Sequence, residues 1–233
     1  MRAATRPADR RNRSAVWQWR GVRLPRAAVL LEVGLIVLAL TTFLALGRLY
    51  AVAPLVAMDE AGLAMAHGLR SAALDTIMPR MSQLGSEALW FVWLPVAVAL
   101  IGLRKMPSAA ALVVAALAVH FWNDALKALY QRTRPTELEG VLGVQVFSFP
   151  SGHAMAAGAV YGMLALLAWR ELRGRLRWAA VGVCMAVALC VAFSRVYLGV
   201  HYPTDVLAGL LAGALWADVV ALGWRVAARK QSS

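Results

Sequence analysis

The chain has 233 residues, 61% of them hydrophobic and 15% charged, with a mean hydropathy of +0.64 and a formal net charge of +12. Soluble domains are about 45–50% apolar and roughly 25% charged, so this chain has too few polar side chains to cover a water-facing globule. Disorder and a disulfide-built mini-protein are excluded as well, and the composition is that of an integral membrane protein.

A membrane-spanning helix needs about 20 mostly apolar residues, and the sequence predicts an all-α polytopic membrane protein with six of them and an interfacial helix in the first outer loop. Residues 1–26 form an Arg-rich tail, 27–222 the six-helix membrane domain, and 223–233 a second tail. The first span is Ala27–Leu46, in which Glu32 lies about one turn from the end, where it can snorkel. Ala51-Val52-Ala53 resembles a small-residue cleavage site, but the apolar core is long and Pro54 follows, so an uncleaved anchor is expected. The loop from Tyr50 to Glu87 carries Asp59, Glu60, His67, Arg70, Asp75 and Arg80, and Met58–Leu69 reads as an amphipathic interfacial helix, with His67 a surface histidine. The remaining spans are Ala88–Leu103, Ser108–Leu126, His153–Trp169, Trp178–Phe193 and Pro203–Leu222. Cys184 and Cys190 fall inside one apolar run and read as filler. Neither a solenoid repeat nor the alternation of a transmembrane barrel is visible.

Lys and Arg collect on the cytoplasmic side of membrane proteins. Alternating helices put the N-terminal arginines, Arg104, Lys105, Arg170, Arg173, Arg175, Arg177, Arg225, Arg229 and Lys230 on one face, so both termini are expected in the cytoplasm. The excess positive charge is then a topology signal, and no nucleic-acid partner is expected. The other face keeps Arg48, Arg70, Arg80, Lys127, Arg132, Arg134 and Arg195, which break the bias and need another reason. Trp90, Trp93 and Trp122 near the outer helix ends, with Trp169, Trp178 and Trp224 near the inner ones, fit an aromatic belt.

Three polar stretches gather at the outer ends of the last four spans. Lys127 and Arg134 are seven residues apart, two turns if the helix persists, with Pro135 turning the chain away. Pro150-Ser151-Gly152-His153 precedes the fourth span: Ser can cap it, Gly permits close approach, and the free N–H groups of a helix start attract anions. An imidazole there adds nothing to capping. In Ser194-Arg195…His201…Asp205, His201 and Asp205 are four apart and can meet if the last helix begins near His201. A carboxylate accepting the imidazole N–H fixes the tautomer and makes the other nitrogen a better base or nucleophile. Three cations, a helix start, two histidines and a carboxylate at one membrane face are the parts of a phosphoryl-transfer site.

These residues resemble the signature of the type-2 phosphatidic acid phosphatase family, which reads here Lys127-x6-Arg134-Pro135, Pro150-Ser151-Gly152-His153 and Ser194-Arg195-x5-His201-x3-Asp205. Vanadium haloperoxidases share such a site on a soluble scaffold that this chain does not resemble. The resemblance implies a membrane-embedded lipid phosphatase in which His201 attacks phosphorus to form a phosphohistidine, Asp205 orients it, and His153 protonates the leaving oxygen. The Ala- and Arg-rich composition and the single compact module make a bacterial inner membrane the expected location. Lys127, Arg134, Ser151, Gly152 and Arg195 would hold the phosphate oxygens, with no metal and no cofactor. The partners implied are a lipid phosphate or diphosphate (undecaprenyl diphosphate, phosphatidate or phosphatidylglycerophosphate) and the membrane lipids. Two rivals use the same residues: a phosphotransferase passing the phosphate to another acceptor, and a transporter that binds without cleaving. Transport requires polar groups through the full bilayer depth, and the inner halves of these spans carry almost none beyond Asp218.

Overall fold

The computed structural model describes residues 17–19, 22–24, 26–135 and 147–230, with side chains placed for 30–135 and 147–224. Most of the Arg-rich tail and the side chains of Arg225, Arg229 and Lys230 thus lie outside the described residues. The chain divides into two compact units, residues 1–38 and 39–233. The first holds an antiparallel pair of strands, β1 (Trp17–Trp19) and β2 (Val22–Leu24), in the register Trp17 to Leu24, followed by the start of helix α1 (Arg26–Leu49). This short hairpin lies in what the sequence predicted as plain tail.

Every regular element among the described residues of the second unit is a helix. After the end of α1 come α2 (Ala53–Gly68), α3 (Ala72–Gln83), a 3-10 turn (Glu87–Leu89), α4 (Trp90–Gly102), α5 (Met106–Tyr130), α6 (Gly152–Glu171), α7 (Gly174–Tyr197) and α8 (Pro203–Lys230). Five helices are long and apolar enough to cross a membrane, or six if the pair Ala72–Gln83 and Glu87–Gly102 counts as one span bent by 59°. The chain is therefore an all-α polytopic membrane protein apart from its hairpin.

The second span departs from the sequence expectation. A helix of 13 residues is about 20 Å long at 1.5 Å per residue, short of the ~30 Å hydrocarbon core. Helix α3, which was not anticipated, precedes it across the bend. Its composition is too polar to register as an apolar run. The stretch Met58–Leu69, expected to be an interfacial helix, is helical as part of the longer α2, opened by Pro54 in its first turn.

What positions the site is the packing of α6 against α8. Of the helices apolar enough to cross, α6 is the most enclosed, with 56% of its apolar window buried. Half of its buried side chains are alanines (Ala154, Ala156, Ala157, Ala159 and Ala165), and Gly158 lies among them. Small residues let helix backbones approach closely. A Cβ on Gly209 would stand 2.6 Å from the Ser151 carbonyl oxygen, one on Gly158 would stand 2.6 Å from that of Leu210, and one on Gly213 would collide with that of Met155. This seam draws the start of α6 onto the start of α8, and the Ser151 N–H donates to the Asp205 carbonyl at 3.0 Å.

Gly213→Ala forces a methyl group into the Met155 backbone, and overpacking of this kind costs about 1–3 kcal/mol. The expected outcome is a lower midpoint for thermal loss of monodisperse protein in detergent. An unchanged midpoint would show that the seam has slack.

Candidate active site

The residues singled out by sequence sit at alternating helix ends, which an up-down bundle brings to one end. Lys127 lies in the last turn of α5, Ser151 to His153 at the start of α6, Arg195 in the last turn of α7, and Asp205 in the first turn of α8. Helix α7 stops at Tyr197 because Gly199 takes a left-handed φ of +69°, with its N–H donating to the Val196 carbonyl and the Val200 N–H to that of Arg195. Such a glycine stop turns the chain so that His201 enters the bundle just before α8.

Two local expectations need correction. Helix α5 does not persist to Arg134: it ends at Tyr130, and Gln131 turns left-handed with φ +50°. Arg134 therefore shares no helix face with Lys127. It comes from the following segment and donates from Nη1 to the Val200 carbonyl at 3.2 Å, beside His201. Ser151 occupies the N-cap of α6, but its side chain makes no capping bond. Its buried Oγ has no hydrogen-bond partner among the described residues, and neither has Arg195 Nε. Buried polar atoms are ordinarily paired, so these two are suited to a ligand that accepts from both. Arg195 Nη1 donates to Ser82 at the end of α3, which anchors the guanidinium. At Gly152 a Cβ would lie 2.9 Å from Asn123 Oδ1, and Asn123 Nδ2 donates to the Pro150 carbonyl at 3.4 Å. A larger residue at this position would have to displace the Asn123 side chain at the point where α6 starts against α5.

His201 is buried, and Asp205 stands behind it. Its Nδ1 is 3.6 Å from Asp205 Oδ2, too long for a direct hydrogen bond. The gap is bridged by Ser148, whose Oγ donates to Asp205 Oδ2 and lies 3.4 Å from His201 Nδ1. A hydroxyl has one hydrogen. With that hydrogen on Asp205, Oγ offers Nδ1 only lone pairs, which favours the tautomer with hydrogen on Nδ1 and an open lone pair on Nε2. Burial, first, and then the charges of Arg134 and Arg195 push the His201 imidazole down to about 4, against the opposing pull of Asp205. His201 is therefore neutral across the physiological range. His153 lies in the field of Arg195, His201, Glu87 and Lys127.

Three members of this centre were not singled out by sequence. Ser148 is one. Arg132 and Asp59 are the others, and they are 7% and 1% exposed. Arg132 Nη1 donates to Asp205 Oδ1 at 2.7 Å and to Thr204 Oγ1 at 2.7 Å, while Nη2 donates to Asp59 Oδ2 at 2.7 Å. Its guanidinium lies 4.1 Å from the ring centre of Tyr202 and 4.8 Å from that of Tyr50. Asp59 also accepts from the Thr204 N–H at 2.9 Å, so α2 caps the start of α8 from outside. The usable signals were a cation breaking the charge bias and an acidic pair, Asp59 and Glu60, in a largely apolar helix.

A helical membrane bundle with cations, a helix start and an oriented histidine at one end has the parts from which a phosphate site in a membrane protein is built. The PAP2 superfamily profile matches residues 108–228, just over half of the chain, and the chain belongs to that superfamily. It is 31% identical to the undecaprenyl-diphosphatase of Sulfolobus acidocaldarius over 61% of this chain and 67% of that one. It is 39% identical to phosphatidylglycerophosphatase B of Bacillus subtilis over 40% of this chain, spanning 46% of that relative's length. The crystal structure of a transmembrane PAP2-type phosphatidylglycerolphosphate phosphatase from Bacillus subtilis superposes with a TM-score of 0.72 at 28% identity, covering 81% of this chain and 94% of that one.

Because His201 is held low, the unfolded chain binds more protons than the folded one between about pH 4 and 6.5, and stability should rise with pH across that window. Melting of the detergent-solubilised protein should fall as pH drops from 6.5 to 4, and His201→Gln should flatten part of that fall. Identical slopes in both proteins would contradict the burial of a neutral imidazole.

Proposed function

We propose that this protein hydrolyses the terminal phosphate of a lipid phosphate or diphosphate through a phosphohistidine on His201. The observation that carries the reading is the bridge from Asp205 through Ser148 to His201 Nδ1, which leaves Nε2 as the nucleophile. Nε2 forms the bond to phosphorus as the bond to the leaving oxygen breaks, and His153 gives that oxygen its proton. Water then attacks the phosphohistidine and passes a proton to His153, which frees phosphate and restores His201. Lys127, Arg134, Arg195, the Ser151 hydroxyl and the Gly152 N–H stabilise the oxygens as charge shifts. These cations supply the electrostatic work that a metal ion would otherwise do. Among the described residues no group of three or more His, Cys, Asp and Glu is arranged to hold one.

The names of the relatives make undecaprenyl diphosphate and phosphatidylglycerophosphate the leading substrates, with phosphatidate beside them. In the arrangement we favour, the bent pair of helices makes a sixth span, α2 lies at the outer interface, and both termini are cytoplasmic. That places the site at the outer lip of a bacterial inner membrane, where a lipid headgroup sits while its tails stay in the bilayer.

The test is phosphate release by the purified protein from those three lipids, with and without EDTA. Release is expected in both conditions and should be abolished in His201→Ala, while His153→Ala should slow turnover about 10²–10⁴-fold. Full activity of His201→Ala, or release that needs added Mg²⁺, would overturn the proposal.

A further inference from the structure

We propose that Asp59 and Arg132 are positioning residues that set the charge behind the nucleophile: Arg132 fixes the Asp205 carboxylate, and Asp59 returns the negative charge that Arg132 would cancel. This rests on the phosphohistidine reading of His201. Neither residue contacts the histidine in the bonds described, so both act through Asp205.

The geometry carries the inference. Arg132 spends Nη1 on Asp205 and Thr204, spends Nη2 on Asp59, and has tyrosine rings beside its guanidinium. An arginine so committed is poorly placed to grip a phosphate oxygen as well. It takes Oδ1 of Asp205 and leaves Oδ2 for Ser148, the Tyr202 N–H at 2.9 Å and the His201 side. Paired with Arg132 alone, Asp205 would belong to a neutral couple and offer little to an imidazole that gains positive charge as it attacks phosphorus. Asp59, on a separate helix, makes the set of Asp59, Arg132 and Asp205 net negative by one charge. The other charged groups acting on His201 are the cations Arg134, after α5, and Arg195 of α7, while His153 of α6 stands near it with Arg195, Lys127 of α5 and the Glu87 carboxylate in its own field. The dyad thus faces cations on the phosphate side and a net negative set behind it.

The test reads the acid limb of kcat/KM with dioctanoyl phosphatidate in detergent, because a limb's position does not depend on how much of the protein is active. Asp59→Asn makes the set neutral and should move the limb to lower pH by about one unit, with kcat reduced about tenfold. Arg132→Gln makes it doubly negative and should move the limb upward. The double variant restores a single negative charge, so its limb should return to the wild-type position. A merely structural role would leave every limb in place and make the double variant no better than the singles.

If one single variant yields no active protein, the other decides by the direction of its shift; if both fail, the double variant must be active with the wild-type limb. A single variant with an unmoved limb, or a double variant displaced as far as Asp59→Asn, would overturn the proposal. Absence of phosphate release by the wild type would instead overturn the phosphatase reading itself.

Discussion

Burying an arginine between two carboxylates is the constraint on which the rest of this site depends. A charge removed from water needs close partners and well-formed hydrogen bonds, because losing one partner leaves an uncompensated charge worth several kcal/mol. Arg132 meets that demand with Asp59, Asp205, Thr204 and two tyrosine rings. These partners come from two other stretches of chain, Tyr50 to Asp59 and Tyr202 to Asp205. The network therefore fixes where α2, the segment after α5 and the start of α8 must sit, and Asp205 receives its orientation as a result.

The same end of the bundle is drawn together by a different force deeper in. The alanines of α6 and the glycines facing them on α8 bring two backbones into contact, and the Ser151 N–H reaches the Asp205 carbonyl. Packing supplies the approach, and the polar network supplies the direction. Neither alone would place the start of α6 beside an imidazole backed by a carboxylate. The helix start contributes donors, while Ser151 Oγ and Arg195 Nε remain without partners among the described residues.

Much of this was legible in the sequence because it is local or periodic. The apolar runs gave the long helices to within a few residues, except that α8 runs on past Leu222 to Lys230, and Pro203 marked its start. The residues of the candidate site stood out by type and spacing, since His153, His201 and Arg195 have no structural reason to share a membrane face. What escaped depends on contacts remote in sequence. Arg132 and Asp205 are 73 positions apart, as are Arg132 and Asp59; no periodicity connects them. Ser148 looked like loop because a hydroxyl says nothing about its partner. Helix α3 escaped because its apolar residues are diluted by Asp75, Arg80 and Ser82, although that last serine holds Arg195. The left-handed turn at Gln131 separated Lys127 from Arg134 in a way the spacing alone could not foresee.

The account turns on His201 Nε2 becoming covalently phosphorylated with Nδ1 turned away toward Ser148 and Asp205. The most direct measurement is mass spectrometry of protein quenched in alkali during turnover of phosphatidate, with the modified nitrogen assigned by ³¹P NMR. Phosphate on Nε2 of His201 is the expected result. Phosphate on Nδ1, on His153, or on no histidine while turnover proceeds would contradict it.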